Sequence, residues 1–213
     1  LCRKADRIIA DGKKKSLHIS ERNLEAYLGI PKYETESEDL SPKQGIVTGL
    51  AWTSVGGDTL TIEVNQMPGS GKLELTGNLG DVMKESAQIA VSCVRAMLQK
   101  NILEEQDIHI HVPEGAVPKD GPSAGITMAT AIYSAVTGEK VRGEVTLRGR
   151  VLPIGGLKEK LLAANMRGIK EVLVPERNKK DVQELSKEIT GSMVITYVST
   201  MDEVLERAIW KKD

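Results

Sequence analysis

Phenylalanine is absent from this 213-residue chain, and aromatic residues of all kinds make up only 3% of it. Any core must therefore be built from Leu, Ile, Val, Met and Ala. With a net charge of −1, no global basic field argues for nucleic acid as a partner. The longest positive run, Lys13–Lys14–Lys15, reads as a single solvated face. Two cysteines, Cys2 and Cys93, give neither a disulfide framework nor metal-ligand spacing, and fit a reducing compartment. Cys93 falls on an apolar helical stripe, where packing accounts for it. No apolar run reaches the ~18 residues of a membrane span, and no signal peptide is visible. Histidine is scarce as well, with only His18, His109 and His111.

What is present is an ordinary globular mixture, 40% hydrophobic and 28% charged, long enough for one sizeable domain with a short appendage. Leu1 lies inside a charged helical pattern with no initiator Met, which reads as a fragment of a longer protein. Leu1, Ala5, Ile8 and Ile9 share one side of a helix ending near Ala10. Ser20 is a candidate cap for a short helix carrying Leu24, Tyr27 and Leu28, and Gly29 and Pro31 stop it. Polar residues 32–44 read as a linker. The expected division is an appendage over 1–31, a linker over 32–44 and a main domain over 45–213.

In that domain Ile46–Thr53 reads as a strand and Val55–Asp58 as a turn. Leu60, Ile62 and Val64 alternate with polar residues, the mark of a half-buried strand. Pro68–Gly71 turns the chain into a strand over Lys72–Thr76, so a β-meander is expected. Val82, Ile89, Ala90, Cys93, Val94 and Met97 follow at helical spacing. Asp107–Val112 alternates as a strand, and a loop over Pro113–Gly121 leads into a helix over Pro122–Val136. Strands near Val145–Leu147 and Arg150–Leu152 come next, then a helix over Leu157–Arg167. The remainder reads as strand Glu171–Val174, helix Lys179–Lys187, strand Val194–Val198 and helix Met201–Trp210. Strands and helices mix without strict βαβ order, which gives an α+β fold class with mixed sheets.

Chemistry concentrates at Lys119-Asp120-Gly121-Pro122-Ser123-Ala124-Gly125. Asp-Gly-Pro is a strong turn signal, and Pro122 suits the first turn of a helix. Ser123 then stands at a helix N-terminus, among small neighbours (Gly121, Ala124, Gly125) that let another backbone approach. Unpaired N–H groups and the positive end of the helix dipole suit an oxyanion there. A serine that only caps its helix gives the same local pattern.

A serine hydroxyl needs a base. His109 and His111 share one face of the preceding strand and are candidates. They are also two possible metal ligands, but no third completes a set, so no metal is expected. The other candidate is a lysine in Gly156-Leu157-Lys158-Glu159-Lys160-Leu161. At about 100° per residue, Leu157, Leu161 and Ala164 define the buried stripe; Lys160 lies about 60° from Leu157, and Lys158 about 100° away on the opposite flank. Lys160 is thus the one placed to face inward, and burial favours the neutral amine that deprotonates serine. Gly69-Ser70-Gly71-Lys72 looks like part of a phosphate-binding loop. That loop requires Gly where Gln66 stands, and Ser or Thr where Leu73 stands, so nucleotide binding in this chain is excluded.

Ser123 and Lys160 together make the chain resemble the Lon protease family. Gly49–Thr53, Val55–Asp58, Gly80–Ser86, His109–Gly125 and Leu147–Ala164 all look like motifs of that family, and the first 30 or so residues look like the tail of its ATPase module's small helical domain. The resemblance implies an endopeptidase with Ser123 as nucleophile and Lys160 as general base, with no catalytic histidine. It implies that Glu63, His109, His111 and Asp120 lie near the site as supporting residues, beside Gly121, Pro122 and Ala124. It further implies a homohexamer acting on unfolded or damaged proteins, with ATP and Mg held by an ATPase module outside this chain, in a bacterial cytoplasm or, less expectedly, the mitochondrial matrix. DNA binding by a full-length protein draws no support from these residues. The chain departs from the family where Val141-Arg142 runs straight into Gly143-Glu144: the family has several residues there, ending in Met-Thr, with the threonine beside the catalytic lysine. The segment before Asp107 is also short. A domain that kept the fold for assembly or binding and lost the site is the alternative reading, and a Ser–His hydrolase of small esters is a third.

Overall fold

The chain divides into two compact units, Leu1–Glu38 and Asp39–Asp213. The computed structural model describes residues 2–12, 18–29, 41–53, 56–113, 118–143, 145–146, 155–191 and 193–211. In the first unit, α1 (Cys2–Ala10) carries Arg7 in its last turn, where a cation complements the helix dipole. Ser20 does not cap the second helix as expected. Its backbone N–H donates to Asn23 Oδ1 at 2.8 Å, and a 3₁₀ turn over Glu21–Asn23 leads into α2 (Leu24–Leu28). Gly29, at φ 86°, ends that helix where the sequence places the stop.

Most of the expected linker lies outside the described residues, but its last two, Lys43 and Gln44, form β1 (Lys43–Gln44). A two-residue strand is too short to show any alternation. The next three strands are β2 (Ile46–Thr53), β3 (Gly56–Pro68) and β4 (Leu73–Thr76). Gly56–Asp58, expected in a turn, instead form the first rungs of β3, paired antiparallel with Thr53, Trp52 and Ala51. Helix α3 (Asp81–Leu98) then leads to β5 (Gln106–His111).

These strands do not make a meander. The sheet order is β2-β3-β5-β4, with β5 antiparallel to β3 and parallel to β4. The α3 crossover makes β4-α3-β5 a βαβ unit, a connection that only a parallel pair requires. Asp107 fixes the turn after β3: its Oδ1 accepts the backbone N–H of Ser70 at 2.8 Å and of Lys72 at 2.7 Å. The Lys72 N–H, followed by that of Ser70, holds the Asp107 carboxyl below the ordinary carboxylate range.

A 3₁₀ turn over Pro122–Ala124 opens α4 (Gly125–Thr137), and β6 (Lys140–Val141) pairs antiparallel with β1. Strand β7 (Val145–Thr146), helix α5 (Leu157–Met166) and strand β8 (Glu171–Pro175) come next. The strand expected at Arg150–Leu152 lies outside the described residues. The single helix expected over Lys179–Lys187 is two, α6 (Lys179–Gln183) and α7 (Lys187–Thr190). An i→i−3 bond from Leu185 N to Val182 O tightens the end of α6 and breaks the run. Strand β9 (Val194–Val198) and helix α8 (Met201–Ala208) finish the domain, with β7-β8-β9 all parallel. Thr200 and Glu203 form a reciprocal capping box at the start of α8. The result is the α+β architecture expected.

Two apolar clusters hold this unit. The larger lies between the four-stranded sheet and α3, α4 and α8; Ile62, Ile108, Ile110, Met128 and Ile132 are fully buried there. These are the aliphatic and Met side chains that a chain without Phe must use. The smaller cluster joins Leu157, Leu161 and Ala164 of α5 to Val172 and Val174 of β8 and to Leu50 of β2.

The departure expected from the sequence falls between β6 and β7, where Gly143 stands in a turn and Glu144 lies outside the described residues. Arg142 is nevertheless well anchored. Its backbone N–H donates to Ala208 O at 2.9 Å, and its Nη1 lies 3.1 Å from Glu171 Oε2. Glu171 is buried and also accepts from Thr196 Oγ1 at 2.6 Å. Replacing it removes the acceptor of the Thr196 hydroxyl and the anionic partner of Arg142, so Glu171→Ala is expected to cost about 1–3 kcal/mol, read as a lower urea midpoint at unchanged slope.

Candidate active site

Ser123 is presented by the 3₁₀ turn ahead of α4 and is half-buried. The segment before it is fastened to the β4–α3 connection. Lys119 N donates to Asn78 O at 3.1 Å, and Gly80 N donates to Lys119 O at 2.7 Å. Asp120 completes the attachment: its Oδ1 accepts Met83 N at 3.0 Å and Gly121 N at 2.9 Å. Met83 is in the first turn of α3, whose N-cap Gly80 has no side chain to offer. Asp120 therefore satisfies an orphan helix N–H from outside, with its negative charge at the positive end of the dipole. Gly80 has to be glycine for this, because a Cβ there would stand 2.4 Å from Asp120 Cγ.

Lys160 sits in the first turn of α5, and only 5% of it is exposed. The stripe reading holds: Leu157, Leu161 and Ala164 are buried with it, while Lys158 is exposed. Ser123 and Lys160 line the same cleft of about 730 Å³, a volume typical of a site for a small molecule or an extended peptide segment. Strands β2 and β3 supply one wall, with Leu50, Trp52, Leu60 and Ile62. The segment from Pro118 to Gly121 supplies another, and Gly155, Gly156 and Glu159 close the α5 side.

Of the residues expected around the site, Asp120, Gly121 and Ala124 line the cleft with Ser123 and Lys160. Glu63, His109 and His111 are not among its lining residues. They lie on the polar face of the sheet, where Glu63 is in register with His111. Both histidines turn to Thr76, whose Oγ1 is 2.9 Å from His109 Nε2 and 2.7 Å from His111 Nδ1. One hydroxyl proton serves both contacts, so in the neutral pair one ring nitrogen accepts and the other donates. Among the described residues, no three His, Cys, Asp or Glu side chains cluster as a metal site. Pro122 opens the 3₁₀ turn as its position predicts.

Sequence reading missed Trp52 and Thr127. Trp52 is 60% exposed on the rim, and an exposed Trp on a strand is the signal that would have found it. Thr127, buried in the cleft wall, follows Ser123 by four residues, the spacing that puts two residues on one face of a helix. No helix among the described residues is long and apolar enough to cross a membrane.

The chain is similar to known proteins along nearly all of its length. The family described as the Lon protease (S16) C-terminal proteolytic domain matches residues 18–211. Lon protease of Lachnoclostridium phytofermentans is 56% identical over 216 residues, covering 96% of this chain and 27% of that relative. Lon protease of Brevibacillus choshinensis is 50% identical over 223 residues, covering all of this chain and 29% of the relative. Lon protease of Haemophilus influenzae is 52% identical over 221 residues, covering 98% and 28%. The chain thus spans under a third of the length of the curated relatives it matches. An alignment of 223 positions that takes in 213 residues leaves at least ten positions with no residue of this chain. Matched by the family over residues 18–211, the chain belongs to the Lon protease family and corresponds to its C-terminal proteolytic domain.

Proposed function

We propose that this domain is an endopeptidase in which Ser123 is the nucleophile and Lys160 the general base. The observation that carries the reading is the buried Lys160 in one cleft with Ser123, while both sheet histidines are engaged with Thr76 outside it. Burial removes the hydration that stabilises an ammonium, the condition under which a lysine amine acts as a base. Lys160 Nζ takes the Ser123 hydroxyl proton as Oγ attacks the peptide carbonyl carbon. The tetrahedral oxyanion collapses, and the same proton passes to the leaving amine. Water then attacks the acyl ester, gives its proton to Lys160, and releases the acid as the proton returns to Ser123. Asp120 acts through the loop by holding it on α3.

In the wider protein this domain forms the proteolytic part of a homohexamer in the bacterial cytoplasm. ATP and Mg are bound by a separate ATPase module, and misfolded and regulatory proteins are the substrates. Neither DNA binding nor a cofactor is assigned to this chain.

The positions missing relative to the relatives favour a second reading, a domain retained for assembly without catalysis. A fluorophosphonate probe separates the two. Labelling mapped to Ser123, and lost in Ser123→Ala, is the expected result. A folded chain that takes up no probe would establish the assembly reading, and label on another residue would overturn the nucleophile assignment.

A further inference from the structure

We infer that Gly57 and the Asp58–Arg167 ion pair are positioning elements for the base, so that the start of β3 determines where Lys160 stands. The inference rests on the Ser–Lys reading above. Gly57 is not in the left-handed region, so its backbone conformation alone does not ask for glycine. Space does. A Cβ at Gly57 would stand 2.0 Å from the Glu159 carbonyl oxygen, 2.5 Å from its carbon and 2.9 Å from Lys160 N. Those three atoms are one peptide unit, the one that joins Glu159 to Lys160. A peptide locked in a helical turn cannot swing aside as the end of a long side chain can, so β3 meets α5 with no room for a methyl group. At Gly56, the neighbouring glycine, a Cβ would meet nothing within 4 Å; only Gly57 is required by contact.

Two further contacts hold the same helix. Trp52, opposite Gly57 in the β2–β3 register, covers Gly156: a Cβ at Gly156 would stand 3.1 Å from Trp52 Cδ1. Asp58 Oδ1 lies 3.2 Å from Arg167 Nη2, just beyond the C-terminal end of α5, and accepts Thr59 N at 2.8 Å. The helix is thus held by contact at its first turn and by charge at its last. Proton transfer from Ser123 requires hydrogen-bond reach, and a displacement of about 1 Å is enough to lose it.

The test is the rate of fluorophosphonate labelling at Ser123, with the maximal rate and the half-saturating probe concentration measured separately, in the 213-residue chain. Gly57→Ala is expected to lower the maximal rate on the order of 10–100-fold and to leave the half-saturating concentration within about twofold. Ile102→Val, in the larger core and outside the cleft, is the control for lost stability; it is expected to melt earlier and to label at the parent rate. An equal loss of rate in Ile102→Val, or a Gly57→Ala rate within twofold of the parent, would overturn the inference. If Gly57→Ala does not fold, Arg167→Gln carries the test without added volume. A several-fold slower maximal rate, restored by Arg167→Lys, supports the inference, and an unchanged rate rejects it. A parent chain that does not label at all marks failure of the Ser–Lys reading instead.

Discussion

Lys160→Ala is expected to fold and to melt cooperatively, yet to cleave peptides ~10³-fold or more slowly than the parent chain. Alanine keeps the helix, since Ala has the highest helix propensity, and leaves Leu157, Leu161 and Ala164 to seat α5 as before. What it removes is the amine in the Ser123 cleft. Ser123→Ala is expected to do the same, and the double variant to be hardly worse than either, because the two side chains act as a unit. Lys160→Arg sharpens the result: a guanidinium stays protonated and cannot accept the Ser123 proton, so it too is expected to be inactive. Cleavage of a fluorogenic peptide and a thermal melt on each variant measure both halves. Near-parental cleavage by Lys160→Ala would transfer the role of base to His109 or His111.

The neighbouring residue reverses the pattern. Leu161 is fully buried in the smaller cluster, against α5's own Leu157 and the β8 valines. Leu161→Ala is expected to cost about 2–5 kcal/mol, which lowers the melting temperature by roughly 2–4 °C per kcal/mol for a chain of this size. Leu162, one residue further on, is 42% exposed, and Leu162→Ala is expected to change stability by no more than about 0.5 kcal/mol. Equal losses in the two variants would mean that α5 does not present the face described.

The elements that could be read in the sequence are those whose cause is local. Alternation at Leu60, Ile62 and Val64 is imposed by one buried face, and one face leaves a period; helical spacing likewise located α3, but its buried face runs through Met83, Ala87, Ala90, Val91 and Val94, and Val82 and Ile89, expected on the stripe, are exposed. Lys160 could be distinguished from Lys158 for the same reason. The Ser123 turn was legible because Asp-Gly-Pro restricts its own backbone. Long-range arrangements left no such trace. That β5 lies between β3 and β4 depends on where α3 returns the chain. That Asp120 caps α3 depends on a partner 37 positions away. His109 and His111 were correctly placed on one strand face, but no periodicity says that Thr76 would occupy both. Gly57 was read as a turn glycine because a glycine needed for contact and one needed for conformation look alike in sequence.

Ser123 and Lys160 hang from different clusters. Ser123 enters through α4, part of the larger core, whereas α5 is seated by the smaller one, which includes Val172 and Val174 of β8 with Ile195 and Tyr197 of β9 packed against it. During synthesis, then, the serine leaves the ribosome well before the strands that fix its partner. Until residues near 198 are available to fold, α5 rests on β2 and β3 alone and lacks the part of its seat that β8 and β9 supply. In the Ser–Lys reading proposed above, hydrolytic competence therefore follows the release of β8 and β9 from the ribosome, late in synthesis.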